Sequence, residues 1–529
     1  MKRAARSAFR LGVRRAGVAL AVLGLAAVNA SPAARGDQTG RTGGVTQSLR
    51  LDRGRACGTP AAVCFRHVLL LSIDGLHGID LDRYVTEHPG STLAALTARG
   101  VTFASARTTG PSDSFPGLLA VATGAHPATT GVYYDDSYDK TLYPAESACA
   151  GPPGSEVAYT EAIDADPKRL ETTIDPAKLP MAKRGQSCVP VFPHDYLRVN
   201  TIFEVVRGSG GYTAWSDKHP AYEFLNGPSG HGVDDLYAPE IASTNGSLAE
   251  TERFDETRVG ALLRELRGRS HDDASAEPVP NLLGMNFQSV SVAQKDPRGG
   301  YTDAKATPSA EVAAALDFVD RQLGRLVAAL DTGGLRDSTM IVVEAKHGQA
   351  PIDPARRRIV DQKRIAPLVP RLAFATLDDI ALLWLHESTA TTRASAIAAL
   401  RADAAALAID RVYDGKTPPE GFGSAPADPR APDLIVQTIP GAIYAKPAAT
   451  KAAEHGGLSE DDRDVALLVS YAARPMERVT TPVETTQVAP TILRALGLDP
   501  RRLQGVAREG TRELPSVGFP AAETTPPRS

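Results

Sequence analysis

Charged and imidazole side chains stand near the ends of three predicted strands. They are Asp74 after LLLSI, Lys346 and His347 after MIVVEA, and His455 ahead of VALLVS. In an open parallel sheet, ligands bind beyond the carboxyl ends of the strands. A single aspartate there is usually a cap or turn residue, and a lone histidine is usually structural. Oxygen and nitrogen ligands that converge at one sheet edge, however, suit a divalent metal ion.

A fourth stretch, TGPSDSFPG, places Ser114 at or near the start of a predicted helix. The free backbone N–H groups and the dipole at a helix N-terminus favour a bound anion. A hydroxyl in that position, close to a metal ion, can act as a nucleophile. The alternative is that Ser114 only caps the helix.

Strands and helices alternate along the chain. The continuous apolar runs His67–Ile73, Leu282–Phe287 and 339–343 are typical of strands buried on both faces of a parallel sheet. Residues 309–330 predict a long amphipathic helix, because apolar side chains recur at three- and four-residue spacing. The predicted fold class is therefore α/β, with a mainly parallel central sheet flanked by helices.

The composition excludes two broad classes of protein. Hydrophobic residues make up 42% of the 529 residues, which is too much apolar surface for a disordered chain. Lys and Arg number 58 against 62 Asp and Glu, a net charge of −4. A dedicated nucleic-acid binder usually has a basic excess, so no nucleic-acid partner is expected.

Residues 1–30 are predicted to be a signal peptide. Basic residues precede the uncharged run 16–28, which is shorter than the ~20 residues that span a bilayer. Small residues suited to cleavage follow, and Arg14-Arg15 also permits a twin-arginine route. We expect an exported protein, periplasmic or secreted, with no membrane anchor after cleavage; an uncleaved anchor is the alternative.

The chain has four cysteines, Cys57, Cys64, Cys149 and Cys188. An even number in an exported protein indicates two disulfides. Three pairings are open, and the shortest loops result from Cys57–Cys64 with Cys149–Cys188, which we predict. Free buried thiols are the alternative.

Six stretches, in this order, resemble the alkaline phosphatase superfamily, and within it the type I phosphodiesterase/nucleotide pyrophosphatase branch. They are LLLSIDGL, PSDSFPGLLAVATGAHPATTGVYYDDSYD, SAEVAAALDFVDRQLGRLVAAL, STMIVVEAKHGQ, AEHGGLSEDDRDVALLVS and TTQVAPTILRALGL. The resemblance runs from about residue 66 to about residue 498. It implies an alkaline-phosphatase-like fold.

The resemblance also implies a reaction and a set of site residues. Ser114 matches the nucleophile, which attacks phosphorus and forms a covalent phospho-enzyme. The cofactor implied is one or two divalent ions, zinc by expectation, and the candidate metal ligands are Asp74, Ser114, His347, His455 and Gln288. The expected substrate is a small-molecule phosphodiester or nucleotide pyrophosphate. A phosphomonoesterase, a sulfatase and a non-catalytic binding protein on this fold are alternatives.

Four positions depart from the family's pattern. Lys346 stands where the family has an aspartate ligand, and Gln288 and Gln294 are the nearest counterparts of a further aspartate and histidine. Asp135 replaces an asparagine that donates to phosphate. Lys346 could supply one metal's charge, as an ammonium group near Ser114 or paired with Asp135, and is predicted to be catalytic. The site would then hold a single metal ion or be unusual.

A further polar segment, TAWSDKHPAYEF, follows a short predicted strand at 212–215. Its Asp217 and His219 are predicted, together with Asp135, to contact the substrate. The alternative is a solvated loop.

The predicted domain organisation places most of the chain in one hydrolase domain. Residues 31–65 form a flexible lead-in, 66–500 the alkaline-phosphatase-like domain and 501–529 a C-terminal tail. Within the domain, 141–195 is a loop-rich insertion and 376–445 a cap-like insertion near the active site, as in the family. The identity of the substrate within the expected class and the oligomeric state are not predicted.

Overall fold

The computed structural model describes residues 65–518. The predicted signal peptide, the lead-in up to residue 64 and the Cys57–Cys64 pair lie outside the described residues. Within 65–518, no helix has the length and apolar character needed to cross a membrane.

The described part of the chain contains twenty strands and fourteen α-helices. The strands are β1 (His67–Ile73), β2 (Gly100–Phe103), β3 (Ala106–Arg107), β4 (Asp136–Asp139), β5 (Ser155–Ala158), β6 (Met181–Arg184), β7 (Ser187–Pro190), β8 (Thr213–Ser216), β9 (Asp235–Tyr237), β10 (Leu282–Phe287), β11 (Thr339–Glu344), β12 (Arg358–Asp361), β13 (Leu372–Leu377), β14 (Ile380–Leu385), β15 (Ile409–Asp414), β16 (Leu434–Thr438), β17 (Ala442–Ala445), β18 (Leu467–Ser470), β19 (Glu477–Val479) and β20 (Val483–Glu484). The helices are α1 (Gly78–Glu87), α2 (Thr92–Thr97), α3 (Ser114–Thr123), α4 (Pro127–Thr130), α5 (Pro193–Tyr196), α6 (Ile202–Arg207), α7 (Leu248–Glu265), α8 (Ser289–Lys295), α9 (Ala310–Thr332), α10 (Ala390–Ala402), α11 (Ala404–Leu407), α12 (Glu460–Arg463), α13 (Val488–Ala495) and α14 (Gln504–Glu509).

Eight of these strands form the central sheet, in the order β19-β2-β18-β11-β1-β10-β8-β9. β1 pairs in parallel with β10 and β11, and β8 pairs in parallel with β10 and β9. β18 runs antiparallel to both of its neighbours, β11 and β2. The predicted mainly parallel α/β fold is confirmed. Every residue of β1, β10 and β11 is buried, which explains why most of their side chains are apolar.

The long helix α9 packs on this sheet through one apolar face. Its side chains at three- and four-residue spacing are buried, among them Val312, Leu316, Val319, Leu323 and Leu326. Each such side chain contributes about 1.5–3 kcal/mol on burial. The helix begins after Ser309, whose hydroxyl accepts a hydrogen bond from the Val312 N–H at 3.2 Å. The sequence-based start at residue 309 is therefore the cap of the helix.

A second sheet of four antiparallel strands, in the order β13-β14-β16-β15, begins at Leu372, before the predicted cap region 376–445, and otherwise lies inside it. β14 is apolar throughout because both of its faces are covered. Leu383 and Leu385 join a cluster with residues of α10, and Leu382 and Trp384 join a cluster that contains Tyr133. The second of these clusters connects the cap region to the chain that follows α3.

Short elements and one disulfide organise residues 141–195. β6 and β7 form a hairpin, and β5 pairs with β4. Cys149 and Cys188 form a disulfide bond with an S–S distance of 2.06 Å, as predicted. In the predicted C-terminal tail, α14 is followed by Leu514 and Val517, which are buried in the main core.

Candidate active site

Four neighbouring parallel strands deliver polar side chains to one edge of the central sheet. Immediately after these strands come Asp74 (β1), Lys218 (β8), Gln288 (β10), and Lys346 with His347 (β11). These strands are adjacent in the order β11-β1-β10-β8. The site therefore lies where a parallel sheet places its ligands.

Ser114 is the first residue of α3, and Asp113 is the cap of that helix. The Asp113 carboxylate accepts hydrogen bonds from the N–H groups of Phe115 at 3.2 Å and Asp135 at 3.1 Å. Asp113, and not Ser114, therefore caps α3 with its side chain. The Ser114 hydroxyl instead contacts side chains that follow the sheet strands.

Close packing of α3 against the end of β11 brings Ser114 to the sheet edge. Gly117 lies in the first turn of α3, where a Cβ atom would be 1.9 Å from the carbonyl oxygen of Lys346. The backbones can approach this closely only because residue 117 has no side chain. Thr108 adds a hydrogen bond from its hydroxyl to the same carbonyl, at 2.6 Å.

The Ser114 hydroxyl lies 3.2 Å from His347 Nε2 and 3.3 Å from Lys218 Nζ, and it also contacts the Tyr222 hydroxyl. His347 Nδ1 is 2.7 Å from the Gly348 carbonyl oxygen, which can only accept, so Nδ1 carries the proton. Burial lowers the pKa of His347, and the nearby ammonium groups act in the same direction. In the neutral ring, Nε2 carries a lone pair that can accept a hydrogen bond from Ser114, and Asp74 Oδ2, 3.4 Å from Nε2, opposes the lowering of the His347 pKa.

Asp74 is the centre of the charged cluster. It is fully buried and accepts a hydrogen bond from Asn286 Nδ2 at 2.5 Å and another from the Gln288 amide. Lys346 Nζ is 3.4 Å from its Oδ1, and Lys218 Nζ is 3.3 Å from its Oδ2. Burial alone would raise the pKa of Asp74, but Lys346, His347 and Lys218 hold it well below its usual range. Asp74 is therefore an ionised carboxylate between two ammonium groups.

The two lysines differ in exposure and in their other contacts. The Lys346 side chain is completely buried, donates to Tyr222 Oη at 3.0 Å and lies 4.7 Å from the centre of the Tyr222 ring. The Lys218 side chain is 14% exposed and donates to Gln288 Oε1 at 3.0 Å. Burial, followed by repulsion from Lys346, lowers the pKa of Lys218 to about 8. Of the two lysines, Lys218 is the one that reaches solvent.

His455 lies beside His347, with 4.2 Å between the ring centres. Its Nδ1 is 3.8 Å from Asp113 Oδ1. Burial, together with nearby positive charge, places the pKa of His455 well below its usual range. Burial and the neighbouring Asp135 raise the pKa of Asp113. His455 thus extends the site toward the cap of α3.

The other residues predicted for the site have different partners. Asp217 accepts hydrogen bonds from Trp215 Nε1 and the Lys218 N–H, both at 2.9 Å. His219 Nδ1 is 2.8 Å from the Glu240 carboxylate. Gln294 donates to the Gly75 carbonyl at 2.8 Å, behind the turn that follows β1. Asp135 is tied to the cap of α3 through its backbone N–H.

Sequence reasoning missed Lys218 and Asn286 as members of the cluster. The segment containing Lys218 was recognised, but its flanking residues Asp217 and His219 were selected. The feature of the sequence that could have identified Lys218 is its position two residues after the last residue of β8. Asn286 lies inside β10, opposite Ser72 of β1, and only the strand pairing brings it to Asp74.

The described residues do not fit the one or two divalent ions that the resemblance implies. Within 65–518, no group of three or more His, Cys, Asp or Glu side chains is arranged to hold a metal ion. The Lys346 ammonium lies against the carboxylate that would be a principal ligand. A doubly charged ion ~4 Å from an ammonium would be repelled by roughly 8 kcal/mol at an effective dielectric near 20.

The sequence profile of the type I phosphodiesterase/nucleotide pyrophosphatase family matches residues 68–459. This chain belongs to that family. It is a hydrolase of phosphoric ester bonds, and the predicted resemblance is confirmed. A comparison with curated proteins found no match.

Solved structures with this fold include ectonucleotide pyrophosphatase/phosphodiesterases and an alkaline phosphatase. Murine ectonucleotide pyrophosphatase/phosphodiesterase 5 is 14% identical, with a TM-score of 0.55, over 82% of this chain and 96% of that one. The human protein of the same name is 15% identical, with a TM-score of 0.53, over 82% and 95%. Wild-type alkaline phosphatase PafA is 13% identical, with a TM-score of 0.54, over 82% and 96%. An inactive variant of the murine protein was solved in complex with AMP. At these identities the similarity establishes the fold.

Proposed function

We propose that this protein hydrolyses a small-molecule phosphodiester or nucleotide pyrophosphate with Ser114 as the nucleophile. One observation carries the proposal. The Ser114 hydroxyl stands at the N-terminus of α3, 3.2 Å from an imidazole nitrogen that can take its proton and 3.3 Å from an ammonium group. Nucleophile, base and positive charge are therefore within reach of a single phosphorus atom.

In the first half of the reaction, Ser114 Oγ attacks phosphorus and its proton passes to His347 Nε2. The Oγ–P bond forms as the bond from phosphorus to the leaving oxygen breaks. The leaving oxygen then takes the proton from His347. The product left on the enzyme is a phosphoryl ester of Ser114.

In the second half, water attacks the same phosphorus atom. His347 Nε2 takes a proton from the water, the P–Oγ bond breaks, and the proton returns to Ser114. The ammonium groups of Lys218 and Lys346 and the N–H groups at the start of α3 stabilise negative charge on the phosphoryl oxygens in both halves.

The residues around the cluster have supporting roles in this proposal. Asp74 holds both lysines, and Asp217 fixes the backbone of Lys218 by accepting from its N–H at 2.9 Å. Asp135 and His219, which the sequence analysis placed at the substrate, remain candidates for contact with the leaving group. Substitution of each by alanine, followed by measurement of KM for several leaving groups, tests that assignment.

The experiment that tests the proposal compares the parent with Ser114→Ala on bis-p-nitrophenyl phosphate. We expect kcat to fall by on the order of 10³-fold or more, as for other nucleophile removals. Mass spectrometry after an acid quench should find the phosphoryl adduct on the peptide containing Ser114 in the parent. Ser105→Ala, at an exposed serine, is the matched control. Unchanged turnover by Ser114→Ala would contradict the mechanism.

Export of the protein is a separate part of the proposal. It is supported by the character of residues 1–30 and by the Cys149–Cys188 disulfide, since disulfides persist in oxidising compartments. N-terminal sequencing of protein from the native host is the test. A mature chain that begins at Ser31 supports export, and a chain that retains Met1 or Lys2 contradicts it.

A further inference from the structure

We propose that Lys218 and Lys346 together replace the divalent cations of the site, so that it binds a tetrahedral phosphoryl group without metal. The identity of the ligand rests on the proposed function above. The absence of a metal requirement rests on the geometry of the two ammonium groups.

The two lysines contact different oxygens of the same carboxylate. Lys346 lies 3.4 Å from one oxygen of Asp74, and Lys218 lies 3.3 Å from the other. Each ammonium also donates to a neutral oxygen at 3.0 Å, Tyr222 Oη for Lys346 and Gln288 Oε1 for Lys218. Two positive charges therefore flank Asp74, the carboxylate that would otherwise serve as a ligand of a cation.

The ammonium groups of both lysines have N–H donors that could reach a phosphoryl oxygen. An ammonium group has three N–H donors. The contacts of Lys346 within residues 65–518 account for two, with Asp74 and Tyr222. Lys218 directs its third donor at Ser114 Oγ, the atom that would bond to phosphorus. Each lysine can therefore offer one donor to a phosphoryl oxygen without breaking its hold on Asp74.

The charges of the groups around Asp74 also favour an anionic ligand. Two ammonium groups contact the carboxylate of Asp74, the adjacent His347 is neutral, and the Asp217 carboxylate also attracts Lys218. A buried ammonium group is stabilised when an anion pairs with it. A singly charged phosphodiester or another tetrahedral oxyanion can pair with both ammonium groups. A divalent cation at the same position would be repelled by them.

The departures from the family pattern at Lys346 and Gln288 change the charge of the site in the same direction. Lys346 replaces an expected aspartate and Gln288 replaces another. Both changes remove negative charge from the place where metal ions would lie, and the first also adds a positive charge. Gln288 then becomes the acceptor for Lys218. The same substitutions that remove metal ligands thus build the two-lysine site.

Metal content and anion binding by the purified protein test this proposal. The protein is dialysed against dipicolinate and then against metal-free buffer. Metal is measured by inductively coupled plasma mass spectrometry, and inorganic phosphate binding is measured by isothermal titration calorimetry. We expect far less than one equivalent of zinc before dialysis and the same phosphate affinity before and after. Stoichiometric metal, with phosphate binding lost on dialysis and restored by Zn²⁺, would overturn the proposal.

Substitutions locate the binding in the two lysines. Lys218→Met and Lys346→Met are each expected to weaken phosphate binding by about 10- to 100-fold, the effect of losing a charge-assisted hydrogen bond. Lys363→Met, at an exposed lysine, is the matched control and should bind as the parent does. Circular dichroism checks the fold of each variant. A folded Lys218→Met variant with parental affinity would contradict the proposal.

The variant Lys346→Asp provides an independent test that does not depend on anion affinity. It restores a carboxylate beside Asp74, Ser114 and His347, so it should bind zinc where the parent does not. Equal zinc content in the parent and this variant would contradict the replacement of a cation by Lys346.

The outcomes also separate this inference from the proposed function. Metal-free phosphate binding with no phosphoryl adduct on Ser114 would support the two-lysine site and contradict the hydrolytic mechanism. Zinc-dependent hydrolysis through Ser114 would support the hydrolytic mechanism and contradict the two-lysine site.

Discussion

At the scale of single residues, the site depends on hydrogen bonds that determine which atoms carry protons. His347 donates through Nδ1 to the Gly348 carbonyl at 2.7 Å, which leaves Nε2 for Ser114. Asp74 remains ionised because two ammonium groups and two amides surround it. The proton-accepting function of His347 is therefore separate from the positive charge of the two lysines, although Asp74 Oδ2 contacts both His347 Nε2 and Lys218 Nζ.

A substitution at His347 tests this separation. His347→Gln removes the proton acceptor but leaves both lysines, so kcat for bis-p-nitrophenyl phosphate should fall by about 10²- to 10⁴-fold. Phosphate binding should change little, because the ammonium groups remain. Steady-state kinetics and calorimetry measure the two quantities. His386→Gln, at an exposed histidine, is the control. Equal losses of binding and turnover would indicate that His347 serves only to position its neighbours.

At the scale of secondary structure, the decisive contact is between the first turn of α3 and the end of β11. Ser114 is on the helix, and Lys346 and His347 follow the strand, so their relative position depends on how closely the two backbones pack. Gly117 permits an approach that any side chain would prevent.

Gly117→Ala should therefore affect function through geometry. The new methyl group would meet the Lys346 carbonyl and displace the helix, which we expect to lower kcat by roughly 10²-fold. The accompanying loss of stability should be about 1–3 kcal/mol, as for other overpacked positions. Kinetics and urea unfolding measure these effects. Gly90→Ala is the control, since a Cβ atom at Gly90 has no neighbour within 4 Å. A Gly117→Ala variant as active as the parent would show that this contact does not position Ser114.

At the scale of the whole molecule, chain segments far apart in sequence are joined around the region that follows α3. His126, which precedes α4, is 2.6 Å from Glu509 at the end of α14 and 2.8 Å from Glu484 of β20. Burial alone would lower the pKa of His126, but its bonds to Glu484 and Glu509 raise the pKa to about 10. The C-terminal elements are thus tied to the helix pair that begins with Ser114.

This ion pair network predicts a pH dependence of stability. The pKa of His126 is raised from 6.5 when the protein is unfolded to about 10 when it is folded. Its contribution is therefore complete below about pH 6.5 and is lost as the pH rises through 10. His126→Ala should lower the free energy of unfolding by roughly 2 kcal/mol at about pH 6 and by less at about pH 10. Urea unfolding at both pH values is the measurement. A difference between parent and variant that is the same at both pH values would contradict the assignment.

The amino-acid sequence is sufficient to predict β1, β10 and several residues of the candidate site. The predicted bounds of both strands match the observed ones, because strands buried on both faces are predominantly apolar. Asp74, Ser114 and His347 could be selected because each follows or begins such an element. Local sequence is sufficient when a feature depends on one strand or one helix start.

The side-chain contacts of these residues depend on the tertiary structure. The prediction of a metal centre took no account of Lys218, which reaches Asp74 and Ser114 because β8 is two strands away from β1. The pairing of Lys346 with Asp74 likewise depends on the parallel register of β11 against β1. Strand order and register arise from packing between segments more than 100 residues apart. Whether the edge of the sheet carries metal ligands or ammonium groups is therefore a property of the assembled sheet.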